Sequence, residues 1–206
     1  MDVAARSAAR ISRGLWWSLF VLAALPLLDL AYLTFREALG VNPQETLLRA
    51  TGTWSLTLLI AALAAAPLRR FLNWPDLLRA RRMLGLWAFT YAAIHLVGFW
   101  AFEHDFIWAD VLRDALKRPF VTVGLTCFLL MLPLALTSTN SAMRRLGRSW
   151  KKLHLLIYLI APLACLHFYL HRAGKNNFLD PSIALILVLG LVGLKLFTSR
   201  SRESGV

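Results

Sequence analysis

Apolar residues in this chain come in six nearly unbroken runs, at residues 15–33, 53–68, 83–102, 119–136, 153–170 and 181–197. A helix of about 20 apolar residues crosses the hydrocarbon of a bilayer, and it closes its backbone hydrogen bonds within itself. The pattern therefore predicts an all-α protein, a polytopic membrane bundle of six transmembrane helices. The segments between the runs are too short to fold as independent units. Residues 1–206 are accordingly expected to form one helical membrane domain.

The punctuation between the runs fits helices joined by short loops. Asn42-Pro43 and Trp74-Pro75-Asp76 each resemble the start of a short interfacial helix. Pro119 and Pro181 stand at the first turn of their runs, where a missing backbone donor costs nothing, whereas Pro162 lies inside the fifth run and is expected to bend it. Trp16, Trp17, Trp54, Trp74, Trp108 and Trp150 fall near run ends, as an interfacial aromatic belt requires.

Composition supports this picture: 58% of residues are hydrophobic and 17% charged. The net charge of +12 suggests nucleic acid until its distribution is considered. The amino-terminal segment, the loop 69–82, the loop 144–152 and the tail carry fifteen Lys and Arg, against seven in the alternate loops, which also hold most of the acids. Basic loops stay on the cytoplasmic side. Both termini are thus expected in the cytoplasm of a bacterial inner membrane, with nucleic acid excluded as a partner. Arg6, Arg10 and Arg13 precede the first run, which continues past the length of a signal core and lacks a small-x-small cleavage site; it reads as a retained anchor. Cys127 and Cys165 lack metal-ligand spacing and read as packing residues.

Chemistry enters through histidine. An imidazole inside the membrane is expensive and defaults to a functional reading. His95 lies about 18 Å along its helix from Met83, and His167 about 21 Å from Leu153. The third and fifth runs point the same way, so the two imidazoles share a depth in the outer half of the bilayer. One axial nitrogen from each is what a six-coordinate haem requires. Ala92 and Gly98 near His95, and Ala164 near His167, leave room for a flat macrocycle, while Tyr91, Phe99 and Phe102 share the His95 side of their helix.

His154 sits at the cytoplasmic mouth of the fifth run and is a candidate ligand for a second, inner haem. Thirteen residues place it roughly 140° around an ideal helix from His167, so one stripe holds both only if the helix is distorted between them. At that depth the third run offers Arg79, Arg81 and Arg82 instead of an imidazole. Arg81 and Arg82, with Arg144, Arg145 and Lys151, are candidate contacts for propionate, flavin phosphate or quinone, although basic loops also serve topology alone. His171, one turn beyond His167, is a substitute ligand or propionate partner, and His104 is expected to be solvent-exposed between Glu103 and Asp105. No hydrolase, phosphate-loop or c-type haem motif is present in the sequence, so any haem is expected to be non-covalent, of b type.

The run Arg81 to Phe89 leading to Tyr91 and His95, then Lys117-Arg118-Pro119-Phe120, Leu134 to Ser138, and Leu146 to His154 followed by Tyr158 and His167, resembles the MsrQ family. These are haem-binding membrane subunits of a periplasmic protein-methionine-sulfoxide reductase system, within the ferric reductase-like transmembrane superfamily that also includes NADPH oxidases. The resemblance covers Thr51 to His171. It implies an electron-transfer subunit rather than a catalytic one, taking electrons from the quinol pool or a cytoplasmic flavin reductase. They pass through haem b, one or two per chain, to a periplasmic molybdopterin partner that reduces methionine sulfoxide in oxidised envelope proteins. The family's haem histidines fall on His95, His154 and His167. The family also implies FMN, for whose phosphate the turn at Thr137 and Ser138 with Arg144 and Arg145 is a candidate site. NADPH oxidases carry a further histidine where this chain has Arg81, which puts a full second bis-imidazole haem in doubt.

Two other readings compete. A stand-alone transmembrane ferric or metal reductase needs an exposed substrate site beside the outer haem, whereas a subunit needs a docking surface, for which the acidic loop Glu103 to Asp114 is the candidate. A haem-free scaffold or transporter shows no haem absorption.

Overall fold

The computed structural model describes residues 3–72, 77–173 and 178–203. Among these, helices joined by short turns make up nearly all of the chain: α1 (Val3–Phe35), α2 (Pro43–Leu72), α3 (Leu77–His104), α4 (Trp108–Lys117), α5 (Pro119–Leu136), α6 (Asn140–Leu146), α7 (Arg148–Leu153), a 3-10 turn (His154–Leu156), α8 (Ile157–Ala173) and α9 (Leu179–Glu203). Six helical stretches are long and apolar enough to cross a membrane: Gly14–Phe35, Pro43–Arg69, Ala80–His104, Pro119–Leu136, Arg148–Ala173 and Leu179–Phe197. The six expected spans are thus present. Most extend past their apolar runs, because helices continue into the interface where polar residues cap them.

The start of α2 illustrates this. Asn42 accepts from the Glu45 backbone N–H at 3.2 Å, and its own amide donates to the Glu45 carboxylate at 3.3 Å, a reciprocal cap with Pro43 at the first helical position. Asn42-Pro43 therefore opens the second spanning helix itself, not a separate interfacial one. Trp74-Pro75-Asp76 lies outside the described residues.

The described chain divides into two compact units, with the boundary inside α3 after Tyr91. In the first unit, the Tyr91 hydroxyl donates to the Ala23 carbonyl of α1 at 2.9 Å, and Ser55 of α2 donates to the Ala88 carbonyl of α3, also at 2.9 Å. Ala23, Ala62 and Ala88 are almost wholly buried, the small residues that let membrane helices approach closely. Tyr91, expected beside a macrocycle, is instead a buried strut between α1 and α3, flanked by Trp54 and Trp87.

The second unit comprises the rest of α3 and everything after it. Its main packing is α5 on α8 and α8 on α9, through Val121, Cys127 and Met131 of α5, Ile157, Ile160, Ala161 and Cys165 of α8, and Ala184 and Val188 of α9. Both cysteines are buried free thiols, in keeping with packing roles. Ile183, Ile186, Leu187 and Leu189 on the other side of α9 are exposed, as lipid-facing positions are.

Candidate functional site

The fifth span carries His167 on α8, and α5 packs against it closely enough to define the imidazole. A side chain at Gly124 would put its Cβ 2.7 Å from His167 Cε1 and 2.8 Å from Nδ1, so only glycine admits the ring there. One turn earlier on α5, the Phe120 carbonyl lies 2.7 Å from His167 Nδ1. A carbonyl only accepts, so Nδ1 carries the proton and Nε2 carries the lone pair. That is the arrangement that fixes tautomer and ring orientation in metal-bound histidines. The Phe120 ring also flanks the imidazole, with centroids 6.2 Å apart, and reaches His171 at 5.6 Å.

His95 of α3 faces this group. The His95 and His167 rings are 6.2 Å apart, centroid to centroid, with their planes at 85°. Two imidazoles that each approach one first-row metal ion to about 2 Å have their centroids about 6 Å apart, so the observed separation fits a shared metal. Among the described residues, no three His, Cys, Asp or Glu side chains converge on one point. Two imidazoles alone make a poor site for a bare ion but complete the coordination of an iron that already has four porphyrin nitrogens. The donor set therefore fits haem.

The aromatic residues expected beside His95 are placed differently. Phe99 packs edge-on against His104 at 4.8 Å, and Phe102 is exposed. It is Phe120 of α5 that flanks His167 and His171, a contact between residues far apart in sequence and invisible to helix periodicity.

His104 corrects another expectation. Its side chain is only 11% exposed, and its Nε2 lies 3.5 Å from Asp114 Oδ2, while the other oxygen of Asp114 accepts from Arg118 Nε at 2.9 Å. Of the segment Glu103 to Asp114 read as an acidic loop, Glu103 belongs to α3 and the residues from Trp108 onward to the amphipathic helix α4, both of whose acids are engaged internally: Asp114 as described, and Asp110 with Arg113 at 2.8 Å. Its surface is therefore less acidic than its composition.

At the other end of the α7–α8 segment, His154 stacks on Trp150, with centroids 3.9 Å apart and planes 25° apart, and its Nδ1 donates to the Trp150 carbonyl at 3.0 Å. Trp150 Nε1 in turn donates to the Thr137 carbonyl at 2.9 Å, tying this group to the end of α5. The 3-10 turn at His154–Leu156 adds roughly 60° of winding, which narrows the offset between His154 and His167 from roughly 140° to roughly 80°. Pro162 lies within the continuous helix α8.

The hydroxyls of Thr137 and Ser138, expected as phosphate contacts, donate to the carbonyls of Pro133 and Leu134 at 2.6 Å each. Both protons are thereby taken up in ending α5. Arg144, Arg145 and Lys151 are exposed, as is Arg82 in the first unit, where Arg81 is half-buried. Arg172, which the sequence reading passed over, is mostly buried, 3.8 Å from Asp180 and above the Phe168 ring.

Comparison with known proteins gives the family of the chain. Residues 51–165 match the family described as the ferric reductase like transmembrane component. Among curated proteins, the chain is 45% identical over 187 residues to a protein of Herminiimonas arsenicoxydans, covering 90% of this chain and 86% of that one. It is 44% identical over 180 residues to one of Polaromonas naphthalenivorans, covering 87% and 82%. A Caulobacter vibrioides protein is 46% identical over 146 residues, covering 70% of each. All three are named protein-methionine-sulfoxide reductase heme-binding subunit MsrQ. Identity at this level across nearly the full length, together with the matched transmembrane component, assigns the chain to the MsrQ family of ferric reductase-like membrane proteins.

Proposed function

We propose that this protein is the haem-binding electron-transfer subunit of a methionine-sulfoxide reductase system, with His95 and His167 as axial ligands of a b-type haem. The observation that carries the reading is the pair of facing imidazoles, 6.2 Å apart, one with its Nδ1–H tied to the Phe120 carbonyl. Bound haem supplies a one-electron centre whose potential the axial ligands and their hydrogen bonds tune.

The chain's own residues position that centre and shelter it. Phe120 holds the His167 tautomer, which raises the basicity of Nε2 and would favour the oxidised state of a haem held there. Gly124 keeps the ring's place open. The exposed apolar faces of α8 and α9 meet lipid and exclude water. His154, with its Nδ1 donating and Nε2 carrying the lone pair, is the ligand for an inner centre if a second haem binds.

In this reading the protein lies in the bacterial inner membrane with both termini cytoplasmic. Electrons come from the quinol pool or a cytoplasmic flavin reductase, and a periplasmic molybdopterin subunit receives them to reduce methionine sulfoxide in oxidised envelope proteins. FMN is a further cofactor of the proposal, with the basic segment containing Arg144 and Arg145 nearest in chemistry to its phosphate.

The test is spectroscopic. The purified subunit is expected to show a sharp reduced b-type band, and His95→Ala and His167→Ala are each expected to abolish the low-spin signal. Full retention of the spectrum in both variants would overturn the ligand assignment. Reduction by a quinol, compared with reduction by a flavin reductase, then identifies the donor.

A further inference from the structure

We infer that α4 is an in-plane helix that inserts one face into the outer lipid interface, on the side where α3 ends and α5 begins. Three faces are distinguishable along its ten residues. Val111 and Asp114 are buried and point into the protein, where Asp114 meets His104 and Arg118. Asp110, Arg113 and Lys117 form a polar face, with Asp110 and Arg113 paired. Between these lie Trp108, Leu112 and Leu116, spaced four residues apart on one stripe, which are 47%, 61% and 90% exposed. A large apolar stripe beside a charged one, left largely exposed among the described residues, describes a helix lying at a membrane surface.

The occupant is lipid because of where the helix is tethered. Its amino end follows the membrane-spanning helix α3 after a turn of three residues, and its carboxyl end is separated from the membrane-spanning helix α5 by Arg118 alone. Neither connection is long enough to lift α4 away from the bilayer edge. The turn is also constrained: Asp105 and Phe106 both have positive φ, at 46° and 63°, a conformation that costs non-glycine residues energy and persists only where surroundings enforce it. Here Phe106 and Trp108 both pack on Trp100, at 5.1 and 4.6 Å, forming an aromatic corner of the kind found at the level of lipid headgroups. The exposed stripe thus continues the lipid-facing surface of the spans.

The experiment uses the full-length protein in nanodiscs of phosphatidylethanolamine and phosphatidylglycerol. Single substitutions Leu112→Cys, Arg113→Cys, Leu116→Cys and Lys117→Cys carry a nitroxide label, with the wild type as blank because Cys127 and Cys165 are buried. Spin relaxation by oxygen, which concentrates in lipid, is compared with relaxation by a water-soluble nickel chelate. Positions 112 and 116 are expected to favour oxygen severalfold, and positions 113 and 117 the nickel chelate. The inference is overturned if positions 112 and 116 are open to the nickel chelate, which means a water-facing stripe. It is equally overturned if neither agent reaches them, which means a second copy of the chain covers the stripe.

Discussion

His167 and His154 are the same residue type on one continuous run of helix, yet the protein provides for them in different ways. His167 is gripped from outside its own helix: the Phe120 carbonyl takes its Nδ1–H, Gly124 makes room for its ring, and His95 stands opposite. His154 is held from within its own turn, by the Trp150 carbonyl and the face of the Trp150 indole, next to a segment of exposed cations. A ligand whose orientation depends on three helices is built for one fixed geometry. A ring stacked on its neighbour four residues back takes its orientation from its own stretch of helix.

The sharpest way to break this contrast is at Gly124. In Gly124→Val the new side chain occupies the space of the His167 ring, which must swing away from both the Phe120 carbonyl and His95. Haem affinity is expected to fall at least about ten- to hundredfold, the usual effect of losing an orienting contact around a metal ligand. Overpacking is expected to cost about 1–3 kcal/mol of stability as well. Haem titration into the apo-protein measures the first effect, and thermal unfolding in detergent the second. Wild-type haem affinity in this variant would show that the α5–α8 contact does not govern the site.

His154→Ala comes next. It is expected to lower the haem-to-protein ratio partially, leaving the low-spin band that depends on His95 and His167. Pyridine haemochrome quantification decides this. A loss as complete as that of His167→Ala would erase the distinction between the two stations.

The sequence made the six spans readable because hydrocarbon demands long apolar runs, and nothing else in a chain of this length produces them. It also singled out His95 and His167, whose facing rings now lie 6.2 Å apart, since ionisable residues within such runs are rare. What it concealed were contacts between residues distant along the chain. The bond between Phe120 and His167 joins positions 47 residues apart through a backbone carbonyl that carries no residue signature. Tyr91 had the right periodicity to neighbour His95, but its hydroxyl found a buried carbonyl on α1, and burying a phenol requires such a partner. Helix α4 was hidden for another reason. Its four charges interrupt the apolar residues along the sequence, and the stripe of Trp108, Leu112 and Leu116 emerges only when the segment is wound into a helix.

Away from both histidine stations, Asp114→Ala tests the outer end. The buried carboxylate accepts from Arg118 and lies 3.5 Å from His104, so its removal is expected to cost about 1–2 kcal/mol. The cost comes from the Arg118 contact and is reduced because Arg118 is 54% exposed and water replaces its partner; His104 Nε2, 3.5 Å from the carboxylate and not hydrogen-bonded to it, loses little. The haem spectrum should not change, since the affected group lies about two and a half helical turns beyond His95. Thermal unfolding and an absorption spectrum on one sample separate the two effects.

The smallest effect is expected at Trp150→Phe, and it divides the inner station into its parts. Phenylalanine keeps an aromatic face for His154 but removes the indole N–H that reaches the Thr137 carbonyl, a loss of about 1 kcal/mol. The Trp150 carbonyl remains in either variant, so the His154 tautomer is preserved. If stacking is what orients His154, Trp150→Phe should retain the haem content that His154→Ala loses, and Trp150→Ala should lose it. If the tie to α5 matters more, both Trp150 variants should behave alike, and the inner station would then depend on a neighbouring helix just as the outer one does.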